Sequence, residues 1–317
     1  MASAASGVLG PLSTVYQVPN ASADYFPALA YYNNNLVIAY TGTDKTIYWS
    51  TFSYNGTSGS WSNPVQVVCT DSNSGNQFTP TTTAAPALVV YEGKLCLFFQ
   101  AASQYNPILW ATYNGTTWAS TPVPNAYTTG VGFSAAVGQG LDTILFVWPG
   151  MSPQDYLFYS TYNTSSGWAP IIAMPNFPTT EAPSLAASGS SIYLAFLSSS
   201  SGKISLSSYS WSANAFSAPI PTVNTFISGG PAVAAPPGGL LLAWLNSGIL
   251  SASVAESQSG PWSLPVILLQ NAGTGAFNSP AVNINLSQNS QSLIAFAWLG
   301  DGSSNNTVYA GLTPSWL

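Results

Sequence analysis

Six times, roughly every fifty residues, the chain returns to the same short opening, proline or serine ahead of a small apolar strand. The openings are Phe26-Pro27-Ala28-Leu29, Ala85-Pro86-Ala87-Leu88, Phe133-Ser134-Ala135-Ala136, Ala182-Pro183-Ser184-Leu185, Gly230-Pro231-Ala232-Val233 and Ser279-Pro280-Ala281-Val282. Self-similarity at that period belongs to solenoids and propellers, because one unit cannot bury its apolar face alone. Within a unit, apolar runs rich in Val, Ile, Tyr, Phe and Trp alternate with Gly, Asn, Ser and Pro, which reads as four short strands and their turns. No window shows a helical period, so the fold class is all-β.

The fourth strand of each unit carries an aromatic and then a proline: Trp61 and Pro64, Trp118 and Pro122, Trp168 and Pro170, Phe216 and Pro219, Trp262 and Pro265. Proline is tolerated there if that strand is the outer edge of its sheet. The sixth unit supplies only three strands, at 281–286, 292–299 and 307–312. Its missing outer strand stands at the other end, where Leu12 to Asn20 matches Thr121 to Asn125 and Ile171 to Asn176. A solenoid does not need such an exchange, whereas a propeller does, since closing the ring removes exposed edges. The expectation is one domain over 1–317, a six-bladed β-propeller. Its blades fall at about 27–68, 86–124, 133–175, 183–223, 231–270 and 280–313, the last completed by 12–20.

Composition narrows the function. Charged residues make up 4%, with three Lys or Arg, nine Asp or Glu and no His. The three cations are Lys45, Lys94 and Lys203, in different units, so no basic patch for nucleic acid can form. A Ser-His-Asp triad and histidine-ligated metals are excluded, and no metal or cofactor is expected. No apolar run reaches a membrane-spanning length. The first seven residues lack the basic and apolar regions of a secretory signal; secretion and cytoplasmic residence stay open. Cys69 and Cys96 cannot be a disulfide framework, and Cys96 reads as a buried small hydrophobe. Sequons at Asn20, Asn55, Asn114, Asn163, Asn285 and Asn305 suit glycosylation, but Asn55-Gly56 and Asn114-Gly115 are also good turns.

In a propeller the loops from strand four to the next strand one share a face with the loops from strand two to strand three. The former carry Tyr25, Phe78, Tyr127, Phe177, Phe226 and Phe277; strand two ends in Tyr40, Phe99, Trp148, Phe196, Trp244 and Trp298. Either ring of aromatics could stack on a sugar, an apolar ligand or a cation, or could wedge blades together. Asp24 and Glu181 occupy equivalent loops of blades one and four, where they could hold hydroxyls, act as general acid and base, or cap their own turns. Trp49, Trp110 and Tyr159 open strand three in the first three blades and could line pockets between blades. The 69–85 loop could be a lid or a plain insertion.

The repeat resembles that of fungal and bacterial six-bladed propellers related to fucose-binding lectins of the Aleuria type. Pro27-Ala28-Leu29, Leu36 to Tyr40, Ile47-Tyr48-Trp49-Ser50, Asn55-Gly56 and Trp61-Ser62-Asn63-Pro64 carry the likeness. It implies a glycan-binding propeller. The family's fucose pockets use an arginine and a glutamate beside aromatics, and this chain has no arginine, so no fucose site carries over. The turns also resemble sialidase aspartate boxes, with Asn55 and Asn114 in place of aspartate; the missing arginine cluster rules sialidase activity out. Two functions follow as expectations. One is a lectin-like binder of neutral glycans, using the aromatics above. The other is an enzyme with one aromatic-lined pocket at the channel mouth, Glu181 and Asp24 acting on an apolar or cationic substrate. The expected partner is a glycan or small molecule, with a homodimer among the open oligomeric states.

Overall fold

The computed structural model describes residues 9–314 apart from 10, 13, 55–57, 104–105, 129–131, 139, 141, 152, 223–226, 228, 237, 271, 273–278, 289–290 and 302–305, with backbone alone at 284–288, 291–293, 301, 306 and 314. Among these residues there is no helix, and none long and apolar enough to cross a membrane. The strands form six sheets, one per blade, and the inner strands of successive blades touch in a closed ring.

Closure is as the sequence predicts. Thr14–Ser22 pairs antiparallel with Asn306–Pro314, which continues through Gln291–Asp301 to the inner strand Ala281–Gln288. Val15 lies opposite Gly311, and Gln17 opposite Tyr309. The matching segments share a bulge. The register shifts between Gln17 and Ser22, between Pro122 and Tyr127, and between Met174 and Pro178, stretches that contain Asn20, Asn125 and Asn176 respectively. Asn20 and Asn125 have φ of 53° and 56°, a left-handed conformation that asparagine accepts more readily than most residues.

Proline breaks the outer strand in three blades. The strand stops at Trp61, Trp168 or Phe216 and resumes at Val65, Ile172 or Ile220, each half pairing with strand three. A serine of strand three covers the gap: the hydroxyls of Ser50, Ser160 and Ser207 donate to the carbonyls of Ser62, Ala169 and Ser217 at 2.7, 2.8 and 2.6 Å. Ser253 does the same for Ser263 in blade five. Blade two has Ala111 at this position, and its outer strand Trp118–Tyr127 runs unbroken.

Two expectations need correction. Pairing with strand two aligns Ser134 with Ala28, Ala87, Ser184, Ala232 and Ala281, so Phe133, not Ser134, takes the place of the opening proline in blade three. The 69–85 segment is not a lid over the channel. Cys69–Asp71 adds parallel to Trp118–Ser120, and Gln77–Phe78 pairs back onto it, so the insertion widens blade two to six strands at its outer edge.

The core sits in the seams. Side chains of an inner strand alternate between its two neighbours: Leu29 joins the cluster shared with blade six, Ala28 and Ala30 that shared with blade two. Each of the six buried clusters spans one seam. Both cysteines are buried and free, and burial pushes their thiols up to about 12.

Candidate functional site

The aromatic that ends strand two is a seam wedge in every blade. Tyr40, Phe99, Trp148, Phe196, Trp244 and Trp298 are each at most 2% exposed, and each packs into the cluster shared with the preceding blade. Of the two roles open to them this is packing, and it places Trp148, Trp244 and Trp298, expected as ligand contacts, away from the solvent-facing rim. The loop set divides. Phe177 is buried against Phe196, with ring centroids 5.4 Å apart. Phe78 lies half-buried in the blade-two insertion, Tyr25 is half-buried, and Tyr127 is exposed. Phe226 and Phe277 lie outside the described residues.

The two opposed acids meet different surroundings. Asp24 forms an ion pair with Lys45, whose ammonium lies 5.5 Å from the Tyr25 ring centre. That hydrogen bond raises the Lys45 pKa. Beside it Asp44 accepts from the hydroxyls of Thr46 and Tyr48 at 2.9 and 2.7 Å. Glu181 is half-buried, its carboxylate accepts no hydrogen bond among the described residues, and burial raises its pKa. Its own N–H donates to the Thr179 hydroxyl at 3.0 Å.

Between these acids and the channel stands a residue that the sequence reading passed over. Phe26 reaches across the ring: a methyl group built on Gly132 would lie 2.7 Å from the Phe26 ring tip, 3.2 Å from Ala85 Cβ and 3.4 Å from Ala182 Cβ. Phe26 therefore stops the loop-face end of the hub. Below it is a cavity of about 310 Å³ lined by the inner strands of all six blades; neither Asp24, Tyr25 nor Glu181 reaches it.

The strand-three aromatics face their neighbours across the seams. At the seam of blades one and two, Trp49 packs on Tyr113 at 5.1 Å and edge-on to Trp118 at 6.0 Å, with Tyr32 at 6.5 Å from Tyr113. Trp49, Tyr32 and Tyr113 keep part of their surface in solvent. At the next seam Trp110 meets Tyr162 at 4.6 Å and Trp168 at 5.8 Å, but is only 8% exposed. Tyr159 meets Tyr209 and Phe216 at the third, and its hydroxyl donates to the Asn214 carbonyl at 2.6 Å. The corresponding strand-three positions in blades four and five hold Leu206 and Ala252, so the aromatic boxes fade around the ring. Asn114 and Asn163 organise their own turns, each side-chain oxygen accepting two backbone N–H groups. Among the described residues no three Cys, Asp or Glu side chains gather to hold a metal.

No family model and no curated protein matches the chain. Solved structures do match in fold. AofleA from Arthrobotrys oligospora is 13% identical with a TM-score of 0.64, over 96% of this chain and 88% of that one. A fucose-specific lectin from Aleuria aurantia is 9% identical with a TM-score of 0.60, over 95% and 96%. A NanB sialidase from Streptococcus pneumoniae is 14% identical with a TM-score of 0.61, over 96% and 70%. At these identities the likeness is one of architecture, and it agrees with the six-bladed propeller read from the repeats.

Proposed function

We propose that the protein is a lectin-like module that binds neutral glycans at its blade seams, above all at the seam of blades one and two. The observation that carries this is the half-open aromatic corner of Trp49, Tyr32 and Tyr113. Ring faces of this kind suit the apolar faces of sugars, and tyrosine adds a polar edge. The likeness to a fucose-specific lectin supports glycan binding in general; the missing arginine argues for a different sugar. A tighter corner at the next seam, where half-buried Tyr162 and Trp168 flank buried Trp110, would add a second weak site on one rigid body and raise avidity for a repeated ligand.

The test is a glycan array followed by titration of intrinsic fluorescence with the best free sugar. Trp49→Ala should lower affinity about tenfold or more, as expected for the loss of a stacking aromatic. Circular dichroism checks that the sheet content is kept. Silence across the array, or a Trp49→Ala protein that binds as well as the parent, would overturn the reading.

A second reading rests on Glu181. A carboxyl whose pKa burial raises, opposite an aspartate paired with Lys45, sets two carboxyl groups in unlike environments, as a general acid and its counterpart require. An enzyme of this kind would work above Phe26, on an apolar or cationic substrate. Unchanged turnover in Glu181→Gln would remove it.

A further inference from the structure

The hub cavity carries an inference independent of the seams. Its walls are the backbones of the inner strands with uncharged side chains, and larger groups such as Leu29 also pack into the seams. Two of the six inner strands have an N–H turned away from their own sheet and held across the hub wall. Leu185 N–H donates to Ser134 Oγ at 2.9 Å, and Val233 N–H to Ser184 Oγ at 3.0 Å. In both cases a serine of the preceding blade, one register position earlier, supplies the acceptor. The same register position is Leu29, Leu88, Ala135 and Val282 in the other blades. The residue that would serve them is alanine each time: Ala281, Ala28, Ala87 and Ala232. Four amides therefore face the hub with no serine to receive them.

From this the geometry points to the hub cavity as a binding site for a small neutral polyhydroxylated molecule. An ion is disfavoured because no charged side chain lines the cavity, and burying an unpaired charge is costly. A purely apolar guest would leave the lumen-facing amides unpaired. A hydroxyl both donates and accepts, so it serves the amides and the carbonyls that share an open strand edge. The volume, about 310 Å³, suits a molecule of a few carbons. Phe26 blocks entry from the face that bears the acids, so the ligand enters from the opposite face, where each inner strand turns back into strand two.

The test is calorimetry and a crystal soak of the whole protein with erythritol, with sodium iodide and n-butanol as comparators. Erythritol is expected in the hub within hydrogen-bond distance of main-chain nitrogen at 29, 88, 135 or 282. Ala28→Ser together with Ala87→Ser should staple Leu88 and Ala135 as Ser134 and Ser184 staple their neighbours, and weaken erythritol about fivefold or more. Ser184→Ala frees Val233 and should leave binding equal or tighter. A hub that holds only water at saturating erythritol, that prefers iodide or n-butanol, or whose erythritol affinity ignores the added serines overturns the proposal. Because Trp49 takes no part, loss of the seam reading leaves this result standing, and the reverse.

Discussion

Phe26 of blade one and Gly132 of blade three meet across the centre of the ring, so close that a methyl group at 132 would stand 2.7 Å from the phenyl tip. Gly132 also has φ of 135°, a conformation that L side chains rarely adopt. Gly132→Ala should therefore cost about 2–4 kcal/mol. Adding Phe26→Leu should recover the steric part and leave the backbone part. Urea midpoints of the single and double variants measure both. A Gly132→Ala protein as stable as the parent would mean that Phe26 does not fill the hub.

Gln100 is fully buried, and among the described residues neither its amide nitrogen nor its oxygen has a hydrogen-bond partner. The same position holds Leu197, Leu245 and Leu299 in blades four to six. Gln100→Leu removes an unsatisfied amide and keeps a side chain of similar reach. It should raise stability by about 1–2 kcal/mol, seen as a higher melting temperature. A lower melting temperature would show that the amide is satisfied in solution.

Burial raises the Glu181 pKa above the ordinary carboxylate range. Between the unfolded and folded values the folded protein holds more protons, so this group makes stability fall as pH rises through that window. Glu181→Gln cannot ionise. Its stability relative to the parent should grow across the window and level off above it, with no such growth below the ordinary value. Asp71 has the opposite sign: backbone hydrogen bonds from Ser74 and Asn73 lower its pKa, and the stability it lends is lost as pH falls through the folded value. Denaturant midpoints of parent, Glu181→Gln and Asp71→Asn across the acid range read out both directions.

Val18 belongs to the strand that closes the ring, and it is fully buried in the seam of blades six and one. Val18→Asp places a carboxylate there and should cost about 3 kcal/mol or more. Proteolysis should then begin in residues 14–22. Tolerance of the charge would mean that closure is looser than the register implies.

Much of this architecture could be read from the chain because repetition compares each residue with five equivalents. The aromatic-proline mark located the outer strands, and the match of Val18-Pro19-Asn20 to Val123-Pro124-Asn125 located the closure, down to a shared bulge. The direction of Trp148, Trp244 and Trp298 was less legible: a strand end shows where a side chain starts, while the neighbouring blade decides where it packs. Phe26 escaped notice because its reach matters only against a glycine more than a hundred residues away. The serine staples were hidden by the one-residue slip at Phe133, which put Ser134 out of step with Ser184. The 69–85 segment misled because its length drew attention, while its short strands had a partner only in the next blade.

The shared sheet at the ring's closure also sets an order of events during synthesis. Thr14–Ser22 leaves the ribosome before all six blades, and the strand it needs, Asn306–Pro314, leaves only after the first five are made. Until then the opening strand has no mate and the newest blade stands unsealed, a state in which bare β-edges invite association with other chains. Whatever accompanies this protein in the cell meets it as an unlatched crescent while blade after blade is added, until the sixth brings the latch.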